Sequence, residues 1–327
     1  LTGTDFEKEG QRRHAVAACF YLAFLDLYPK LPEALRAAEK LTLPPWGMLT
    51  GVRPDKPVTW ALEDGKSPEE ARAYLEEHYF VTPSRAALAL ETGATAAKAA
   101  RRLEKRDIDV YVGIPFCPTR CAYCSFVSAD VGRTLKLVEP YLQLLLEEVD
   151  ATGKALHDAG LTVRSFYMGG GTPTTLSADQ LDRLLARCEQ SLPLQSCIEY
   201  TVEAGRPDTI TREKLEVLAR HNIGRISINP QTLEDQVLQA IGRRHRAGDI
   251  QAAFSLAREV GFDCVNMDLI AGLPRDSFEG FCRSLEGVLA MGPENITVHT
   301  LALKKGSTLM ERRDVIPDGD QVARMLD

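Results

Sequence analysis

Three cysteines stand close together in Cys117-Pro-Thr-Arg-Cys121-Ala-Tyr-Cys124, at positions i, i+4 and i+7. Thiolates at that spacing in a loop can hold three corners of a cubane iron–sulfur cluster. The fourth iron then lacks a protein ligand, the open site that chemistry, as opposed to electron transfer alone, requires. Structural zinc is one alternative, but it wants four ligands, usually in two pairs. No fourth Cys or His lies nearby: His157 and Cys188 fall in helical stretches and Cys197 at a strand start. A redox Cys-x-x-Cys pair is the other. Five more cysteines, Cys19, Cys188, Cys197, Cys264 and Cys282, sit singly among apolar residues and read as small core hydrophobes. A disulfide framework does not suit a chain of this size without secretory features, so reduced thiols in a cytoplasmic setting are expected.

The elements that must position these thiols follow from the change of period at Asp107. Short β-rich runs then alternate with helical ones: 110–114, 163–168, 198–202, 225–228, 265–270 and 296–301 are strands, with helices over 138–157, 178–189 and 212–220. Strand, helix, strand at this spacing means parallel βαβ units. Six such strands predict an α/β chain, a partial (β/α)6 TIM-like barrel of parallel strands; an open doubly wound sheet is the alternative. Reactive groups of such barrels cluster after the C-terminal ends of the strands. The cysteine loop follows the first strand and Gly169-Gly170-Gly171-Thr172-Pro173-Thr174 the second. Glu203 ends the third strand, Asn229 and Gln231 the fourth, Asp268 lies in the fifth and His299 in the sixth. Six strands thus deliver polar or special residues to one rim.

The pattern before Asp107 is helical, giving an N-terminal all-α domain over 1–106, the barrel over 107–310 and the start of a further region over 311–327. Ser67-Pro68-Glu69-Glu70 opens one helix with a cap, a first-turn proline and early acids, and Thr82-Pro83 opens another. Pro44-Pro45-Trp46-Gly47-Met48-Leu49-Thr50-Gly51-Val52-Arg53-Pro54 reads as a loop. Trp46 there is expected to pack, and Arg53 carries the sharper expectation of reaching a carboxylate of a substrate. The chain of 327 residues has 39 basic and 46 acidic residues, a net charge of −7, which argues against a nucleic-acid partner. No apolar run approaches the ~20 residues of a membrane span. It opens at Leu1 and stops at Asp327 inside a polar helical stretch, as a piece of a longer protein would.

The cysteine loop after the first strand resembles that of radical S-adenosylmethionine (SAM) enzymes. Together with Tyr111-Val112-Gly113-Ile114-Pro115-Phe116-Cys117 and Gly169-Gly170-Gly171-Thr172-Pro173-Thr174, it is similar to the oxygen-independent coproporphyrinogen III dehydrogenase (oxidase) subfamily over about 107–309. The segment around Trp46 resembles the branch of that subfamily with an extra helical domain. The resemblance implies that Cys117, Cys121 and Cys124 hold a [4Fe–4S] cluster whose free iron chelates S-adenosyl-L-methionine. It implies that Gly170 and Gly171 let the backbone approach the methionine amino group, with Thr172 beside them, and that Arg243 meets the methionine carboxylate. Glu203, Gln231 and Asp268 would hydrogen-bond SAM, including its ribose, and Tyr111 and Tyr123 would line the cluster and the adenine.

The implied reaction is oxidative decarboxylation of coproporphyrinogen III propionates to vinyl groups in anaerobic haem biosynthesis. One electron would pass through the cluster to SAM from a donor such as flavodoxin or ferredoxin. The resulting radical would take a propionate β-hydrogen. A tetra-anionic tetrapyrrole needs cations, and Arg206, Arg244 and Arg246 are the nearest candidates. Two positions depart from well-studied members, which have a His at the place of Gly113 and a further Cys at the place of Phe126. Neither touches cluster ligation, and both bear on the substrate. A related radical SAM reaction (methyl transfer or tetrapyrrole ring opening) and a haem carrier or insertion protein that keeps the cluster are the other readings. The family's C-terminal domain would follow the barrel.

Overall fold

A computed structural model describes residues 9–38, 43–49, 53–311 and 316–326. Thr50, Gly51 and Val52 of the Trp46 segment lie outside them. The chain divides into two compact units, Leu1–Glu104 and Lys105–Asp327.

The first unit is helical: α1 (Glu9–Leu27), α2 (Glu33–Ala38), α3 (Lys56–Glu63), α4 (Pro68–Tyr79) and α5 (Pro83–Ala100). Its α4 starts as the sequence predicts, with the Ser67 hydroxyl accepting from the Glu70 amide and the Glu70 carboxylate accepting from the Ser67 amide. Alanines dominate its small core, beside Val58, Leu62, Leu75 and Val81. Small residues let helices approach closely: a Cβ on Gly93 of α5 would stand 2.8 Å from Val58 Cγ1. Trp46 packs against this core. Its turn is tied to the α4–α5 junction by Met48 N–H to Tyr79 O (2.8 Å) and Thr82 N–H to Pro45 O (2.9 Å). Gly47 (φ +57) permits this, because a Cβ there would fall 2.0 Å from the Tyr79 carbonyl oxygen.

The second unit runs β1 (Asp107–Ile114), β2 (Phe116–Cys117), β3 (Ala129–Asp130), α6 (Val131–Ala159), β4 (Thr162–Gly170), α7 (Ala178–Ser191), β5 (Glu199–Gly205), α8 (Arg212–Arg220), β6 (Arg225–Gln231), α9 (Asp235–Ala240), α10 (Ala247–Val260), β7 (Val265–Ala271), α11 (Phe278–Met291), β8 (Asn295–Thr300) and α12 (Gly319–Leu326). Six strands form one sheet in the order β1-β4-β5-β6-β7-β8, every neighbouring pair parallel. This is the expected partial barrel. Val202, Ala204, Ile226, Ile228, Met267 and Leu269 point to the helices and lie in the main core, whereas alternate residues face the interior.

Boundaries differ from expectation where local signals mislead. Helix α6 begins at Val131, not at 138: the Asp130 carboxylate caps it by accepting from the Gly132 amide, and Pro140 is carried inside the helix. Strands β5 and β6 run on to Gly205 and Gln231, past 202 and 228, because each continues through an irregularity of register, between Glu203 and Gly205 and between Ile228 and Gln231. Pro230 brings no N–H to the ladder at the second break. Bulges of this kind bend a strand end and re-aim its side chains.

Candidate functional site

The bulged strand ends surround a cavity of about 540 Å³. Cys117, Cys121 and Cys124 line it, together with Tyr123, Gly170, Gly171, Thr172, Glu203, Gln231, Arg243 and Asp268. Eleven of the twelve residues singled out in the sequence therefore share one wall system. Tyr111 is the twelfth, and it is not among the lining residues. Its ring stacks on Tyr167 (centroids 6.0 Å apart, planes 10° apart), which does line the cavity.

The thiol loop is pinned at several points. The two-residue strands β2 and β3 pair in parallel at its base. Ala122 N–H donates to Ile241 O (3.0 Å), Leu309 N–H to Ala122 O (3.2 Å), and Arg120 Nη2 to Gly306 O (2.9 Å). Thr119 Oγ1 donates to Gly242 O at 3.1 Å. Burial pushes the Cys117 thiol up, opposed by Thr172, Ser128 and Arg206 around it. The Thr172 hydroxyl is 3.6 Å from its sulfur.

The glycines have a cause inside the protein. A Cβ on Gly171 would come within 2.6 Å of Phe116 O and 2.9 Å of Ile114 O, because the end of β4 lies against the join of β1 and β2, with Gly171 N–H donating to Ile114 O. Its missing side chain is thus explained by these carbonyls before any methionine is considered. Gly170 adopts φ +106, and Gly169 leaves room for Tyr167 and Glu203, whose atoms a Cβ would meet at 2.9 and 3.1 Å.

On the opposite wall Tyr167 donates its hydroxyl hydrogen to Glu203 Oε1 at 2.5 Å. Burial raises the Glu203 carboxyl; the Tyr167 hydrogen bond opposes this, and the charge of Asp268 adds to it. Gln231, a non-glycine residue at φ +69, holds its side chain in the cavity, and its buried Oε1 has no protein partner. Such backbone strain persists where the surroundings require it, commonly at functional sites. Arg243 donates to Asn229 O and, at 3.2 Å, to Tyr123 Oη, while its buried Nε is unpartnered. His299 Nε2 stands 3.9 Å from Asp268 Oδ2.

Of the three cations expected for substrate, one lines the cavity and two do not, and sequence reasoning missed several polar groups. Arg206, expected for substrate, is 3% exposed, with Nη1 on Thr119 O at 2.8 Å and Nε on Asp208 Oδ1 at 3.3 Å. Arg244 and Arg246 are exposed but are not among the lining residues, whereas Lys304 and Arg225 are. Gly113 is likewise not a lining residue; its carbonyl accepts from Tyr141 Oη (2.5 Å). Phe126 does line the cavity. Asn266, Ser227 and Thr297 form an interior network with no sequence signal beyond their alternation along the strands.

Residues 111–285 match the family model of the Radical SAM superfamily. This chain belongs to the radical SAM superfamily. Members of that superfamily use a [4Fe–4S] cluster and SAM. The oxygen-independent coproporphyrinogen-III oxidase-like protein HemZ of Bacillus subtilis is 38% identical over 287 residues, 86% of this chain and 57% of that protein. A match of that length cannot be contained in residues 105–327, so it extends into the helical unit. The heme chaperone HemW of Bacillus subtilis is 34% identical over 220 residues, 66% of this chain and 57% of its own. Among solved structures, coproporphyrinogen III oxidase (HemN) from Escherichia coli, described as a radical SAM enzyme, superposes with a TM-score of 0.61 at 28% identity, covering 71% of this chain and 54% of that one. The chain thus spans little more than half the length of these relatives. Among the described residues no helix is long and apolar enough to cross a membrane.

The residues present fit the radical SAM cofactors. Arg206 Nη2, Arg243 Nε and Gln231 Oε1 are buried, unpartnered and in the walls of one cavity. Buried polar atoms are nearly always paired, so three together mark a place for polar guests. Among the described residues no three His, Cys, Asp or Glu side chains converge on a single ion. Three thiols that each ligate a different iron need not do so.

Proposed function

We propose that this chain is the catalytic core of an enzyme that oxidatively decarboxylates propionate side chains of coproporphyrinogen III. The observation that carries the reading is the set of unpartnered polar atoms that share one cavity with three thiols. Cys117, Cys121 and Cys124 hold the cluster. Arg243 pairs with the carboxylate of SAM, Gln231 and Asp268 hydrogen-bond its polar groups, and Glu203, oriented by Tyr167, takes the ribose. Cluster and SAM, when bound, supply a one-electron reduction that produces a hydrogen-abstracting species. The propionate loses one hydrogen atom from its β-carbon to that species, then CO₂, and one electron passes to a one-electron acceptor, which leaves a vinyl group. A one-electron donor protein supplies the reducing equivalent. Lys304, exposed at the cavity, meets a substrate carboxylate.

The similarity to HemZ that extends into the helical unit supports an enzyme of the oxidase-like branch. The similarity to HemW favours a second reading, a haem carrier that keeps the cluster. One experiment separates them. The full-length protein is incubated without oxygen with coproporphyrinogen III, SAM and a low-potential reductant, and the porphyrins are resolved by mass. Products lighter by CO₂ and two hydrogens per propionate support the enzyme. Intact substrate together with stoichiometric haem binding supports the carrier.

A further inference from the structure

Beside the thiol wall lies a trio, buried Arg206 and His245 with partly exposed Asp208 between them, that none of the roles above uses. Arg206 follows β5 directly, and its guanidinium reaches the thiol loop: Nη1 donates to Thr119 O at 2.8 Å and lies 3.9 Å from Cys121 Sγ. Nε meets Asp208 Oδ1 at 3.3 Å, and Nη2 is buried without a partner. His245, whose side chain is fully buried, places Nδ1 3.6 Å from the same Asp208 oxygen. A buried guanidinium with an unpaired donor is costly unless something charged completes it. Asp208 supplies one side of that balance. On the other side stands a thiol that loses its proton when it binds iron, and an N–H donated to a thiolate is charge-assisted.

We propose that Arg206 donates a hydrogen bond to the iron-bound sulfur of Cys121 and raises the reduction potential of the cluster, with Asp208 and His245 holding the guanidinium in place. The inference rests on the assignment of the cluster to Cys117, Cys121 and Cys124. Reduction adds one electron and one negative charge to the cluster. A fixed cation and an N–H aimed at a ligating sulfur favour the reduced form. No bond forms or breaks at Arg206, and the electron comes from the one-electron reductant. Its role is therefore positional and electrostatic.

The test is an anaerobic redox titration with dithionite, followed by electron paramagnetic resonance, on the full-length reconstituted protein. Wild type, Arg206→Met, Arg206→Lys and the double variant Arg206→Met/Asp208→Asn are compared, with iron and sulfide assayed in each. The double variant removes the carboxylate that Arg206→Met alone would strand. Arg206→Met and the double variant are expected to keep four irons and to disfavour reduction at least tenfold, about 59 mV for one electron. Arg206→Lys falls between them and wild type. A merely structural role would lower Tm and iron retention without moving the midpoint of molecules that keep their cluster. Full iron with a wild-type midpoint in the Met variants overturns the proposal. Should both lose iron, Arg206→Lys decides: a lowered midpoint supports it and an unchanged one overturns it. Wild-type protein that assembles no iron overturns the cluster assignment and this inference with it.

Discussion

At the floor of the half-barrel, where the strands begin, Asn266, Ser227 and Thr297 close on one another and on Asn229 and Asp268 further along the strands. Asn266 Nδ2 donates to Ser227 Oγ (2.8 Å) and Asp268 Oδ1 (2.7 Å), Ser227 Oγ donates to Asn229 Oδ1 (2.8 Å), and Thr297 Oγ1 donates to Asn266 Oδ1 (3.0 Å). Arg225 Nη1 reaches Glu199 Oε1 at 3.1 Å, with only its Nε unpartnered. At the rim, where the same strands end, Arg206, Arg243 and Gln231 each keep a buried atom without a partner, and Gln231 adopts φ +69. Both ends are polar, so polarity alone does not mark the site. The difference lies in satisfaction: at the floor a single atom, Arg225 Nε, is left over, and at the rim three residues each keep an atom for a guest.

The contrast breaks most severely at the thiols. Replacing Cys117, Cys121 and Cys124 by Ala is expected to abolish the cluster, whereas Cys188→Ala, in the outer core, keeps it; iron analysis reads both. Next comes the anchor of Arg206. Burial would raise the Asp208 carboxyl, but His245 and Arg206 outweigh it and bring it from 3.8 to about 2. A depressed folded-state value means stability present above the unfolded value and lost as pH falls from about 4 towards 2. Asp208 is partly exposed, so after solvent screening Asp208→Asn should cost about 1 kcal/mol at neutral pH. That gap should close across the same acid range in chemical denaturation.

Smaller effects sharpen the comparison. Gln231→Ala and Asp268→Ala are each expected to weaken SAM binding about tenfold or more without loss of iron, a neutral hydrogen bond being worth about 0.5–1.5 kcal/mol and one to a carboxylate about 1.5–3 kcal/mol. Ser227→Ala at the floor strands two neighbours and should cost about 1–2 kcal/mol of stability. Its SAM affinity should stay within about twofold of wild type, since the groups it loses are protein partners. Equal loss of SAM affinity at floor and rim would erase the distinction. Smallest is Arg53→Ala: Arg53 is exposed, and losing its charge is expected to cost at most about 1 kcal/mol of stability in chemical denaturation, with iron content unchanged.

What was legible in the sequence was whatever depends on order along the chain. The thiol spacing, the glycine triplet and the alternation of strands and helices put Cys117, Gly170, Glu203 and Asp268 on one rim by order alone. What depends on packing was not. Arg206 looked like a cation free for substrate because nothing local shows that Thr119 and Asp208 enclose it. Gly171 looked like space for a ligand because the two carbonyls that need that space belong to strands 55 or more residues earlier. The extended ends of β5 and β6 were hidden because a bulge and Pro230 interrupt the alternation that a strand shows in sequence. The signal that remains is the pairing of Pro with a polar residue at a strand end, as in Asn229-Pro230-Gln231.

The central claim is that the rim is completed by a cluster with an open iron and by SAM upon it. The most direct measurement is the electron paramagnetic resonance spectrum of the anaerobically reconstituted, reduced protein, recorded with and without SAM alongside metal analysis. Four irons per chain and a spectrum that changes when SAM is added are the predicted result. Stoichiometric zinc with no iron in protein purified without oxygen, or a cluster signal indifferent to saturating SAM, would contradict it.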